Sequence, residues 1–141
     1  MGQLSVRYLV DKSAYARMSV QPVRDVLAPL MRAGEVATCG VVEFEMLYSA
    51  RGARDLAALR SEMALALDSV PMMQADFDRA IEVMESLAER SQHRSAKLPD
   101  LLIAAAAERE GLIVLHYDED FDRIAAVTGQ VMQWVAPRGS V

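Results

Sequence analysis

Four short runs in this chain are apolar with little alternation between a wet and a dry face: VRYLV (6–10), EVATC (35–39), LIVLHY (112–117) and VMQWV (131–135). A strand that is apolar on both sides must be covered on both sides, and a sheet sandwiched between helices provides that cover. The intervening segments supply the helices. PVRDVLAPLMRAG (22–34) carries Pro22 for a first helical turn and Gly34 for a stop, while Pro29 inside it predicts a kink or an earlier end. VVEFEMLYSAR (41–51) repeats Val42, Met46 and Ser49 or Ala50 at helical spacing. Residues 54–70 place Leu56, Leu59, Met63 and Leu67 on one face, and residues 75–93 do the same with Phe77, Ile81, Met84 and Leu87 or Ala88. PDLLIAAAAERE (99–110) is closed by Gly111, and EDFDRIAAVTG (119–129) precedes the last strand. This alternation predicts an α/β fold, a three-layer α/β/α sandwich with a central, largely parallel sheet. At 141 residues a single domain over 1–141 is expected, with the tail APRGSV frayed from about residue 136.

Composition narrows the function classes. With 52% hydrophobic and 25% charged residues the chain is globular rather than disordered. Its longest apolar stretch, 101–107, is far below the ~18–20 residues that span a bilayer, and MGQLSVRYLVDKSAY has no secretion-signal pattern, so no membrane association is expected. The single cysteine, Cys39, makes no internal disulfide, which fits a reducing cytoplasm; within VATCGVV it reads as a small buried hydrophobe. Twenty acids against 15 Lys and Arg give a net charge of −5, which excludes coating nucleic acid by bulk charge. That acidity serves either solubility or a cluster of carboxylates around a cation. Most of the nine methionines, Met46, Met63 and Met84 among them, read as core filler, and others as lining for an adaptable partner groove.

Ligands of parallel sheets bind beyond the carboxyl ends of the strands, which draws attention to the acids there. Asp11 ends the first strand, as a turn cap or as a site residue, and Ser13 either caps the next segment or hydrogen-bonds the Asp11 carboxylate. Asp100 heads the most apolar helix, directly after Pro99. A charge in a first helical turn contributes only about 0.3–1 kcal/mol, which any surface Asp supplies. At the rim of a dry core an unpaired carboxylate is expensive unless a cation meets it. Glu43 and Glu45 point to different faces; Glu45, beside the Met46 stripe, is the better site candidate. HYDEDFDRI offers Asp118, Glu119, Asp120 and Asp122, ordinarily a solvated helix start; Asp118 is nearest the strand end and Asp120 is held in reserve. Oxygen ligands without a His–Cys set favour a hard ion, Mg²⁺ or Mn²⁺, over zinc. His93 and His116 lack ligand spacing, and His116 reads as a packed strand residue.

Taken together, YLVDKSAY, VVEFEMLYSAR, KLPDLLIAAAAEREG and VLHYDEDFDRI resemble the PIN domain, and most of all the short PIN-domain toxins of bacterial VapBC toxin–antitoxin pairs. The likeness runs from about residue 6 to residue 135, with PDLLIAAAA followed by Gly, an apolar strand and HYDEDF as its most specific part. It implies a PIN-like fold and a Mg²⁺-dependent endoribonuclease, with Mn²⁺ as a substitute, that hydrolyses phosphodiester bonds in structured RNA such as tRNA or rRNA. It implies catalytic and metal-binding roles for Asp11, Glu45, Asp100 and Asp118, with Asp120 in reserve and Ser13 supporting Asp11. It also implies a homodimer silenced by a cognate antitoxin, in a heterotetramer or a larger assembly. Ser49 replaces the Gly that many relatives carry after the helix Glu, and the DED triplet leaves the fourth acid open. Lys12, Arg94 and Lys97 are the candidate RNA-phosphate contacts, where an acidic chain needs local positive charge. Aspartyl phosphoryl transfer is disfavoured, because Ser13 stands where that chemistry commonly places a second Asp. A catalytically silent PIN-like scaffold that binds metal or a partner is the alternative reading.

Overall fold

The computed structural model describes residues 5–141. Five strands form one sheet: β1 (Tyr8–Val10), β2 (Val36–Cys39), β3 (Asp68–Val70), β4 (Ile113–His116) and β5 (Met132–Trp134). Every pairing is parallel and the order is β3-β2-β1-β4-β5. Among the described residues seven helices flank it: α1 (Lys12–Tyr15), α2 (Gln21–Arg32), α3 (Gly40–Tyr48), α4 (Ala53–Ala66), α5 (Gln74–Glu89), α6 (Leu98–Glu110) and α7 (Asp120–Thr128). The α/β sandwich expected from the double-sided apolar strands is present. Leu9, Val10, Val114 and Leu115, in its two central strands, are fully buried. Among the described residues no helix is long and apolar enough to cross a membrane.

The strand order positions the site. From β1 the chain moves outward through β2 to β3, whereas β4 and β5 lie on the other side of β1. The order therefore reverses between β1 and β4, and the crevice at such a reversal is where open parallel sheets bind ligands. Register places Val10 opposite Leu115, so Asp11 and Asp118 leave adjacent strands at the same edge.

Three expectations are corrected. The helix expected over 54–70 ends at Ala66, and 68–70 pairs with β2 as an edge strand. Three residues with one buried apolar side chain, Val70, carry no periodic signal in the sequence. Leu56, assigned to the buried face, is exposed. On α5 the buried face is Asp76, Ala80, Val83 and Leu87, while Phe77 and Ile81 are 46% and 57% exposed. Ion pairs set this rotation. The buried Asp76 carboxylate accepts from Arg109 Nε at 2.8 Å, and Arg79 forks onto Glu108 at 2.7 and 3.2 Å, tying α5 to α6. The helix over 22–34 also runs three residues past Pro29, whose ring side is exposed. The carbonyl it orphans belongs to Asp25, an exposed residue that water can satisfy. Gly111, at φ +69°, closes α6 as expected, in a conformation that costs glycine nothing.

Candidate functional site

Asp11 does both things the sequence left open. Its Oδ2 accepts from the backbone N–H of Ser13 at 2.9 Å, capping α1, and from Ser13 Oγ at 2.6 Å. Its Oδ1 is buried and has no hydrogen-bond partner. Ser13 Oγ in turn accepts from the Tyr117 N–H at 2.8 Å, so one hydroxyl ties the exit of β1 to the exit of β4.

The other acids converge on the free side of Asp11. Asp100, in the first turn of α6 behind Pro99, is only 2% exposed. Glu45 comes from α3 with a buried, unpartnered Oε1, whereas Glu43 turns outward to Arg60 at 3.9 Å. One carboxylate oxygen each from Asp11, Glu45 and Asp100 lie within 4.8 Å of one another, and Asp100, Asp118 and Asp120 form a second group at the same spacing. A cavity of about 220 Å³ opens among Asp11, Ser13, Glu45, Asp100 and Asp118, with Lys12, Arg17 and Lys97 at its edge. Asp118 lines it. Asp120, the reserve, has both oxygens engaged, one by Arg123 at 2.6 Å and the other by Lys97.

Burial pushes the Asp11 carboxyl up, with the Asp118 charge adding and the Ser13 hydrogen bonds opposing. Burial and then the Asp11 charge push Glu45 up. Asp100 is pushed up to about 9, by burial first and then by the charge of Asp11. For Asp120 burial works upward, but hydrogen bonds from Lys97 and Asp100 outweigh it and hold the carboxyl low. Asp100 Oδ2 is a third buried oxygen without a hydrogen bond, the Lys97 ammonium standing 3.7 Å away. Three such oxygens facing one cavity are a hard-donor set that a divalent cation would satisfy, and burying them unmet would be costly.

The cations divide. Lys12 and Arg17 line the cavity; Arg17 donates to the Ser13 carbonyl at 2.6 Å and stacks over Tyr117, its guanidinium carbon 4.6 Å from the ring centre. Lys97 is held by the acids themselves, 2.8 Å from both Asp118 and Asp120. Arg94 is exposed and does not line the cavity. His116 is packed as expected, with ring centres of Phe121 and Trp134 at 4.9 and 5.0 Å. Sequence reasoning missed the pairing of Lys97 with the acids, although its place three residues before Asp100 and next to a helix start was a signal.

Comparison with known proteins gives a consistent picture. The PIN domain family model matches residues 8–127. Ribonuclease VapC21 of Mycobacterium tuberculosis is 44% identical over 137 residues, covering 97% of this chain and 99% of the relative. Ribonuclease VapC51 of the same organism is 44% identical over 138 residues, covering 98% and 99%. Among solved structures, the DNA-bound VapBC of Salmonella typhimurium superposes with a TM-score of 0.75 at 16% identity, over 93% of this chain and 99% of that one. VapBC-5 of Mycobacterium tuberculosis gives 0.67 at 19% identity, over 91% and 98%. At such identities the structures speak for the fold.

Proposed function

The chain belongs to the PIN-domain family, and on that premise we propose that it is a Mg²⁺- or Mn²⁺-dependent endoribonuclease, the toxin of a toxin–antitoxin pair acting on structured RNA such as tRNA or rRNA. One observation carries the reading: Asp11 Oδ1, Glu45 Oε1 and Asp100 Oδ2, delivered by three different elements, are all buried and unpartnered beside a single cavity. A structural cap or a solvated helix start does not require that convergence.

In this reading Asp11, Asp100 and Asp118 hold the cation and Glu45 orients the attacking water or a second ion. A divalent cation, when bound, supplies Lewis-acid activation of water and neutralises charge building on the phosphoryl group. Ser13 fixes the Asp11 carboxylate so that Oδ1 is the oxygen presented to the cavity. The raised carboxyl of Glu45 suits a group that must accept a proton from water near neutral pH. Lys12 and Arg17 bring positive charge to the RNA phosphate at the cavity mouth. Lys97 reaches a phosphate only when its pair with Asp118 and Asp120 opens.

The relatives' names and the VapBC complexes among the structural neighbours support a toxin that binds a cognate antitoxin, and in this reading it works in the cytoplasm as a homodimer. An apolar groove between α5 and α6, lined by Phe77, Ile81, Met84 and Leu98, suits a protein partner.

The test is purified protein with tRNA and rRNA fragments, with and without Mg²⁺ or Mn²⁺, beside Asp11→Ala and Asp100→Ala. Cleavage that requires metal and disappears in both variants is expected. Cleavage that survives both variants would place the chemistry elsewhere. Metal binding without cleavage of any RNA would favour the silent scaffold.

A further inference from the structure

The two most exposed aromatic side chains near the site are Phe44, 79% exposed, and Tyr48, 92% exposed. They stand four residues apart on α3, hence one above the other on a single helix face. Glu45, next to Phe44 on the same helix, reaches Asp11 and Asp100. A second cavity, of about 360 Å³, is lined by Lys12, Phe44, Glu45 and Tyr48, and it shares Lys12 and Glu45 with the acid cavity. The two openings are therefore neighbours, with Lys12 and Glu45 bordering both. We propose that Phe44 and Tyr48 form a stacking platform for the unpaired bases of single-stranded RNA leading into the acid site, with Lys12 contacting the intervening phosphate. This inference rests on the ribonuclease reading above and adds the residues that would hold the strand beside the acids.

The lining decides between a base and a protein side chain as the occupant. The α5–α6 groove is built from Phe77, Ile81, Met84 and Leu98 with no charged residue among its lining, as at the core of a protein contact. The α3 surface instead sets two π-faces beside an ammonium and a carboxylate, the mixture found along paths for single strands. Bases in a duplex are stacked on each other and cannot offer their faces to side chains, whereas loop bases can. The platform thus selects unpaired segments next to the scissile phosphate.

The experiment compares a stem–loop RNA with an unpaired loop against a blunt duplex of the same stem, with Ca²⁺ in place of Mg²⁺ and the RNA checked for integrity on a gel. Both aromatic residues lie on the surface, so Phe44→Ala/Tyr48→Ala keeps the core intact, which circular dichroism verifies. Stem–loop affinity is expected to fall roughly ten- to a hundredfold with duplex affinity unchanged. The pair Phe44→Trp/Tyr48→Phe restores it, and fluorescence quenching of aminopurine in the loop disappears only in the alanine pair. Full stem–loop affinity in Phe44→Leu/Tyr48→Leu, which keeps apolar bulk without a π-face, would overturn the proposal. So would loss of dimer by light scattering with loop binding unchanged, which would assign the face to a protein contact. Wild-type protein that binds Mn²⁺ but neither RNA would overturn the platform together with the ribonuclease reading.

Discussion

The Lys97 ammonium lies 2.8 Å from a carboxylate oxygen of Asp118. The same nitrogen is 2.8 Å from Asp120 and 3.7 Å from Asp100, so one flexible side chain at the head of α6 pairs with two acids and approaches a third. An ammonium is a single charge with three donors, and it stands where a divalent ion could draw on Asp100 and Asp118. Lys97 and a cation at that group therefore compete.

Lys97→Met is expected to bind Mn²⁺ several-fold more tightly in calorimetric titration, because the competing charge is gone. In chelator the same variant should melt at a lower temperature than wild type, since Asp118 loses its ion-pair partner while Asp120 keeps only Arg123. Weaker Mn²⁺ binding would show that Lys97 organises the acids instead of competing for them.

Asp100→Asn should change how stability depends on pH. The folded carboxyl sits above its ordinary value of 3.8, through burial first and the charge of Asp11 second. A raised acid binds its proton more tightly in the folded state. Its contribution is full below 3.8 and is lost as pH rises toward the folded value. In chelator, wild-type urea midpoints are expected to decline from mildly acidic to mildly alkaline pH, and Asp100→Asn to flatten that decline. Saturating Mn²⁺ should reverse the wild-type slope, because the metal takes the ionised form. Parallel slopes for the two proteins in chelator would contradict the burial argument.

Arg109→Ala tests the ion pair that rotates α5. Asp76 is buried and accepts from Arg109 at 2.8 and 3.1 Å, while Arg109 also donates to the Pro71 carbonyl at 2.7 Å. Removing the arginine leaves a buried carboxylate supported by the Met73 N–H at 2.8 Å. Breaking such a pair from one side costs about 3 kcal/mol. Urea denaturation is expected to show that loss, with metal affinity unchanged because the pair belongs to the α5–α6 contact and not to the acid cavity. A loss below about 1 kcal/mol, the level of an exposed pair, would mean that Asp76 is rehydrated.

How much of this the sequence disclosed depended on the range of the forces involved. The strands were legible because burial on both faces removes the polar residues that would otherwise alternate, and α6 because its proline, its alanines and Gly111 are local signals. Asp11, Glu45, Asp100 and Asp118 stood out as acids out of place on apolar elements. The face of α5 was not legible, since Phe77 and Ile81 are as hydrophobic as Ala80 and Val83. The rotation is decided by Arg109, 33 residues beyond Asp76 in the chain. Nor was β3, whose three residues become a strand only because β2 offers them an edge. Asp118 and Asp120 were not told apart in the sequence, because Arg123, which holds Asp120 alone, and Lys97, which holds both, reach them only in the fold.

His116 joins the core to the site, and acid should break that join. Its ring is fully buried against Phe121 and Trp134, and Nδ1 accepts from the Asp118 N–H at 3.1 Å. Nδ1 must therefore be the unprotonated nitrogen of the neutral ring. Protonation would set two donors face to face and release the backbone of the acid that lines the cavity. Burial lowers the imidazole from 6.5 to about 4, against the upward pull of Asp122 and Asp118. A base depressed in the folded state contributes stability above its unfolded value and loses it as pH falls from 6.5 toward 4, by roughly 3 kcal/mol at most. This limb opposes that of Asp100, so the difference between wild type and His116→Gln isolates it. Wild-type urea midpoints in chelator should drop relative to His116→Gln across that window, and wild-type Mn²⁺ affinity should weaken more steeply with acid than the variant's. If the two proteins track each other through the window, His116 is not the group that fastens Asp118.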